Sequence, residues 1–243
     1  MTRVVRLGPS KWPALIGVLN GLAAARHLQA YFNNTAVEGQ INRYGWSGSL
    51  NPSHSADYMA EVEANLGATK ANYFVTRHYT IALTRRGSTL HHQVTINLVN
   101  NMPYLYRPRE FYKVYFRLFV ETKATGLSDN LLPGNFPDPA PPSGMRMLAG
   151  WLTIPGYGER GQAIFQYDTP WRPDATGAAQ IYWQKQPGTV SDAIDVSWNT
   201  GSGHTYKVSG SLALDRVITL KAAGVTLTPG QPAVAKIPSL SLG

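Results

Sequence analysis

The sequence predicts a mainly β protein, an antiparallel β-sandwich preceded by a small helical segment. Three observations carry that prediction. Apolar residues alternate with polar ones at a period of two from Tyr73 to Leu98, as in a hairpin with one buried face. Seven further short apolar stretches follow, punctuated by Gly and Pro, the pattern of a sandwich. Before the hairpin the apolar residues recur instead at helical spacing.

Trp12, Leu15, Leu19, Leu22 and Ala23 repeat at that spacing, with Ser10 as a cap and Pro13 in the first turn, so a helix is expected from there to about Phe32. Thr35 followed by Glu38 reads as a capping box for a short helix ended by Gly45. Ser55 and Asp57 read as the start of a third helix, buried through Tyr58, Met59 and Val62 and stopped at Gly67. The division that results is a helical segment over 1–67 packing on the sheet, a sandwich over 68–228, and an extended tail over 229–243. Within the sandwich, Pro133, Pro137, Pro139, Pro141 and Pro142 make 126–144 a surface insertion without regular hydrogen bonding.

In the hairpin Tyr73, Val75, Tyr79, Ile81 and Leu83 share one face and Thr76, His78, Thr80 and Thr84 the other; Gly87 and Ser88 form the turn. Later strands are expected at 112–122, 147–154, 162–167, 181–186, 193–198, 206–214 and 217–220.

Composition narrows the chemistry. The 243 residues suffice for a sizeable core. Cysteine is absent, which excludes disulfides, thiolate nucleophiles and Cys-type zinc sites. The 22 Lys and Arg against 14 Asp and Glu give a formal charge of +8, compatible with anionic partners. Those cations are scattered, Arg85 and Arg86 being the longest run, so no nucleic-acid arm is expected. No apolar run reaches the roughly 18 residues of a membrane span, and the start reads as a structural helix rather than a signal peptide because Asn20, Arg26 and His27 interrupt it. No G-x-S-x-G elbow, H-E-x-x-H or phosphate loop occurs, and no cofactor is expected.

Candidate site residues fall into three groups. Asn65, Gly67 and Lys70 could hold an anion or sugar phosphate, Gly67 turning backbone N–H groups toward it and Lys70 adding a point charge; a helix C-cap explains the same residues more cheaply. Asp57 and Glu61, together with Asp192 and Asp195, supply the carboxylates that a polysaccharide hydrolase would need, although ordinary solvated acids are the simpler reading. Trp183 and Trp198 could stack on sugar rings if exposed. His91 and His92 must point to opposite faces and cannot share a metal; His78 and His91, outward on neighbouring strands, read as a solvated pair. No metal site is expected.

The runs RHLQAYFNN, YGWSGSL, ADYMAEVEANLGATKANYFVTRHYTIAL and YWQKQPGT, over roughly residues 20 to 190, resemble the carboxy-terminal portion of the bacterial family known as domain of unknown function 4012. That resemblance implies an envelope-associated protein, extracellular or on the cell surface, whose front half and anchor lie outside this chain and whose front half is similar to glycopolymer transferases. Asn72 stands where the family often has an acid two positions after the motif lysine, which removes support for an inherited transferase activity. The functional expectation is a non-catalytic surface module for envelope assembly or glycan binding, with an enzyme acting on extracellular polysaccharide as the alternative. Its partners would be a glycan or envelope polymer and further copies of itself, through the apolar first helix.

Overall fold

The structure, a computed structural model, describes residues 8–50, 57–67, 70–103, 111–134, 140–142 and 144–230. The chain forms two compact units, one of Met1–Ser49 with Pro187–Thr189 and Gln231–Gly243, the other of Leu50–Gln186 with Val190–Gly230. Ser55, Tyr104, Tyr106, Pro137 and Pro139 lie outside the described residues, as does the tail from 231 onward.

The first unit holds two helices. Helix α1 spans Trp12–Ala24 behind a short 3-10 turn at Pro9–Lys11, with Pro13 in its first turn, where no backbone N–H is needed. It ends eight residues before Phe32, as Arg26 turns to φ 59°. Helix α2 spans Thr35–Arg43. Its cap lies one residue earlier than Thr35: Asn34 Oδ1 accepts from the N–H groups of Ala36 and Val37, at 3.0 and 3.1 Å. Glu38 reaches back to the Phe32 N–H at 2.8 Å, and Gly45, at φ 68°, closes the helix as its missing Cβ allows.

The second unit is a sandwich of two six-stranded sheets. Its strands are β1 Asp57–Asn65, β2 Val75–Arg86, β3 Thr89–Asn100, β4 Phe111–Glu121, β5 Thr125–Asp129, β6 Met145–Pro155, β7 Glu159–Pro170, β8 Ala179–Gln184, β9 Ala193–Asn199, β10 Thr205–Ser211, β11 Arg216–Lys221 and β12 Gly224–Pro229. One sheet runs β12-β11-β8-β1-β4-β6 and the other β10-β9-β2-β3-β7-β5. Most neighbours are antiparallel, but each sheet contains one parallel pair, β1 with β8 and β2 with β9. The mainly β sandwich behind two short helices is thus the fold the sequence predicts, with β5 and β12 added and a second 3-10 turn, Ala71–Phe74, leading into β2.

The expected third helix is instead a strand. Asp57, Met59, Glu61 and Glu63 face the sandwich interior, while Tyr58, Ala60 and Val62 point to the other side. Both faces of β1 are covered: Met59 belongs to the main core, and Tyr58 and Ala60 pack with Phe119, Met145 and Tyr182 in a second apolar cluster. A strand buried on both faces loses the alternation that would reveal it, and acids at its inward positions make it read as an amphipathic helix.

The hairpin forms as expected, β2 and β3 pairing from Val75↔Asn100 to Arg86↔Thr89 around Gly87, at φ 62°, and Ser88. Tyr79, Ile81, Leu83, Val94, Ile96 and Leu98 enter the core. Tyr73 does not: it lies in the 3-10 turn and is 82% exposed. The insertion over 126–144 is not wholly irregular, since β5 occupies its start and pairs with the edge of β7.

Candidate functional site

Because β1 carries acids on its inward face, the space between the sheets contains two polar clusters. Each is built from β1 on one side and from strands of the facing sheet on the other.

At the start of β1, Asp57 meets β3 and β7. Its Oδ2 accepts from the Thr169 hydroxyl at 2.8 Å and lies 3.0 Å from His92 Nε2, which is 2.9 Å from the Thr169 oxygen. Asp57 Oδ1 accepts from the Tyr58 N–H at 2.7 Å. With the Thr169 hydroxyl donating to the carboxylate, its oxygen is left to accept from an Nε2–H of His92. His92 is wholly buried and stacks on Tyr167 with ring centroids 4.3 Å apart, and among the described residues its Nδ1 has no hydrogen-bond partner. Burial, reinforced by the Asp57 charge, pushes the Tyr167 phenol well above its ordinary range.

Farther along β1, Glu61 and Glu63 meet β2. The Arg77 guanidinium forms a two-pronged ion pair with Glu63, with Nε donating to Oε2 at 2.8 Å, and also donates to the Tyr112 hydroxyl at 3.3 Å. Burial opposes the Arg77 charge, but Glu63 more than offsets this and holds the guanidinium charged. Glu61 is buried and, among the described residues, receives only the Tyr79 hydroxyl, at 3.1 Å on Oε2, while Oε1 has no partner there. Burial first, then the neighbouring Glu63, push its carboxyl up to about 8. Asp192 lies close enough to act on both, and burial raises its carboxyl as well. Three carboxyl groups therefore share this part of the interior with Arg77, while Lys185 acts on Asp192.

An open cleft lies beside the first cluster. About 300 Å³ in volume, it runs from Asp57 and Leu90 along the β7–β8 connection, lined by Trp171, Arg172, Asp174 and Gln180. Trp171 stacks on Trp198 at 5.4 Å, with the Arg85 guanidinium 5.2 Å from its ring centre. Arg172 is ion-paired with Glu121. Asp174 accepts from the Thr176 hydroxyl and N–H, each at 2.7 Å, and from the Ala178 N–H at 3.1 Å. These bonds hold its carboxyl below the usual range.

The sequence-predicted residues distribute unevenly over this geometry. Asp57 and Glu61 do share a face, through the strand period of two and not through a helical turn, but each belongs to a different cluster. Asp192 joins Glu61 in the second cluster. Asp195 points the other way, exposed, where it accepts from Ser209 at 2.5 Å and pairs with His78 at 2.8 Å. Those two bonds, Ser209 first, keep its carboxyl low. His78 and His91 do not form a pair: His78 opposes Asn97 in the register, and His91 bonds Asp168 at 2.8 Å. His92, as expected, faces away from His91.

Asn65 and Gly67 close a strand rather than a helix. The Gly67 N–H is taken by Asn65 Oδ1 at 3.2 Å, and the Asn65 amide donates to Asn72 at 3.3 Å. That turn uses the very N–H the anion reading required. Lys70 stands exposed at the start of the 3-10 turn.

Trp183 and Trp198 are core residues, each 1% exposed, so neither offers a free face to a sugar. Trp183 meets Tyr79 edge-on at 5.0 Å, and Trp198 Nε1 donates to the Lys221 carbonyl at 2.9 Å. Tyr182 is buried beside Trp183, contrary to the expectation for a sheet with one wet face, because the second apolar cluster covers the other side of β8.

Among the described residues no group of three or more His, Asp or Glu is arranged to hold a metal ion, and no helix is long and apolar enough to cross a membrane. Sequence reasoning groups Glu63 with Asp57 and Glu61 but missed its partner Arg77, and it missed Thr169 and Asp174 with Gln180. The stretch from Asp168 to Gly177, two prolines around a Trp and an Arg, was the available signal for the cleft wall.

No family model matches the chain, and no curated protein matches it. Among solved structures it is similar to a protein of Legionella pneumophila named as a "putative nutrient binding protein", at 8% identity and a TM-score of 0.37 over 58% of this chain. The chain spans about half the length of that structure, 54% of it.

Proposed function

We propose that the chain is a non-catalytic β-sandwich module that binds glycan at an extracellular or cell-surface location, as part of an envelope assembly. The observation that carries this reading is the placement of the carboxyl groups. A glycosidase sets two of them across an open cleft, one free to give a proton and one to attack; here Asp57 and Glu61 fall in separate clusters, Asp195 is turned away to His78, and the two carboxyls that do line the cleft are engaged, Asp57 by Thr169 and His92 and Asp174 by Thr176 and Ala178. The cleft beside Asp57 supplies instead a binding surface. Its volume is at the lower end for small-ligand sites, and Asp174, Gln180 and Arg172 offer planar donors and acceptors of the kind that engage sugar hydroxyls. Kinship with the envelope family whose motifs the sequence resembles belongs to the same proposal.

Calorimetric titration with a panel of neutral and anionic oligosaccharides, alongside a reducing-end assay on the same mixtures, tests it. Saturable binding that Gln180→Ala and Asp174→Asn weaken, with no release of reducing ends, is the expected result. Release of reducing ends would replace the binding reading by the hydrolase alternative, and absence of binding to every sugar would overturn it.

A further inference from the structure

Helix α1 has apolar residues on every side. Its thirteen residues, WPALIGVLNGLAA, include no charged side chain and one amide, Asn20. Helical spacing places Ala14, Val18 and Leu22 in one row, with Gly17 and Gly21 beside it. This row faces outward: Val18 is 59% exposed and Leu22 41%, and Trp12 at the helix start is 43% exposed. A surface helix ordinarily turns a polar stripe to water, and one that is apolar all round is covered all round.

The charge of the surrounding sequence selects what covers it. Before Glu38 the chain carries Arg3, Arg6, Lys11 and Arg26 and not one acid. Of these Arg26 is buried, while Lys11 is exposed directly at the helix start. A second copy on the same face would find no acid before Glu38 to pair with the exposed Lys11 of either chain. An anionic lipid surface would neutralise that charge. Aromatic rings suited to the boundary between headgroups and acyl chains are exposed in the same unit, Tyr31 at 76% and Phe32 at 46% in addition to Trp12. At ~1.5 Å per residue the helix is about 20 Å long, too short for a hydrocarbon layer of roughly 30 Å, so it lies along the surface.

We infer that α1 seats the row Ala14, Val18 and Leu22 in the headgroup region of an anionic phospholipid surface, as an interfacial helix. This inference rests on the first unit alone and does not depend on the cleft or on glycan binding.

Flotation of the full chain with lipid vesicles tests it. Vesicles of phosphatidylcholine alone are compared with vesicles containing about one third phosphatidylglycerol. The chain floats with the anionic vesicles and less with the neutral ones, and added salt weakens the binding. Val18→Glu with Leu22→Glu lowers the bound fraction roughly tenfold or more, as does the milder pair Val18→Ser and Leu22→Ser, while Val190→Glu, at an exposed apolar residue of the other unit, leaves it unchanged. Circular dichroism melting shows each variant folded. Failure to float with either vesicle, or equal flotation of the Val18 and Leu22 variants, overturns the inference. So does a dimer in light scattering that those variants dissolve, which would assign the face to a second copy.

Discussion

The hydroxyl of Tyr79, on β2, donates to Oε2 of Glu61, on β1, at 3.1 Å, and this bond joins the two sheets through the middle of the core. Among the described residues it is the only hydrogen bond to the Glu61 carboxyl, whose other oxygen is buried without a partner there. A carboxyl so placed keeps its proton at neutral pH, because ionising it would bury a charge away from water and set it beside Glu63.

The consequence for stability has a definite sign. An ordinary unfolded-state glutamate titrates near 4.5, and Glu61 in the fold near 8. Between those values the unfolded chain has released the proton that the native chain retains, so stability falls as pH rises from about 5 to about 8 and levels off above. Glu61→Gln keeps the shape, needs no proton, and removes that part of the slope. Urea melts at a series of pH values should show the variant gaining on the wild type with rising pH, by on the order of a few kcal/mol at pH 8. Parallel pH profiles would refute a protonated Glu61.

Arg77 has the opposite dependence on its partner. Arg77→Met strands the buried Glu63 carboxylate and should cost about 3–5 kcal/mol. Adding Glu63→Gln to that variant should recover most of the loss, since the uncompensated charge is gone. A double-mutant cycle by denaturant melting reads the coupling directly; additive losses would show that the two groups do not act as a pair.

The Asp57 cluster tests buried polar satisfaction. Thr169→Val keeps the volume and removes the hydroxyl that links Asp57 to His92, leaving a buried carboxylate one donor short. A loss of about 1–3 kcal/mol is expected. His92→Ala should cost more, because it also empties the space stacked against Tyr167. Equal stability of the two variants would mean that the ring contributes nothing by packing.

Gly201 tests the backbone. It sits at φ 79°, and a Cβ there would lie 2.6 Å from the Arg85 carbonyl oxygen. Gly201→Ala should therefore destabilise the fold by more than the ~1 kcal/mol of an ordinary left-handed position. Gly203→Ala, also at positive φ but facing open space, is the control that shows conformational strain alone.

What could be read without the fold was whatever one strand shows of itself. The hairpin from Val75 to Asn100 has one wet face, so its alternation survives in the sequence and even assigns His91 and His92 to opposite sides. Strand β1 has none, and its inward acids imitate a helix. Composition by itself excluded cysteine chemistry, and Pro13 and Gly45 marked helix ends through their own backbone preferences. The tertiary structure alone decided that Asp57 meets Thr169 and His92, that Glu61 meets Tyr79, and that Trp183 and Trp198 are core. Those contacts join residues on opposite sheets, up to 112 positions apart for Asp57 and Thr169. Local propensity cannot register them, because a carboxylate inside a sandwich is tolerable only once the facing sheet has supplied its partners.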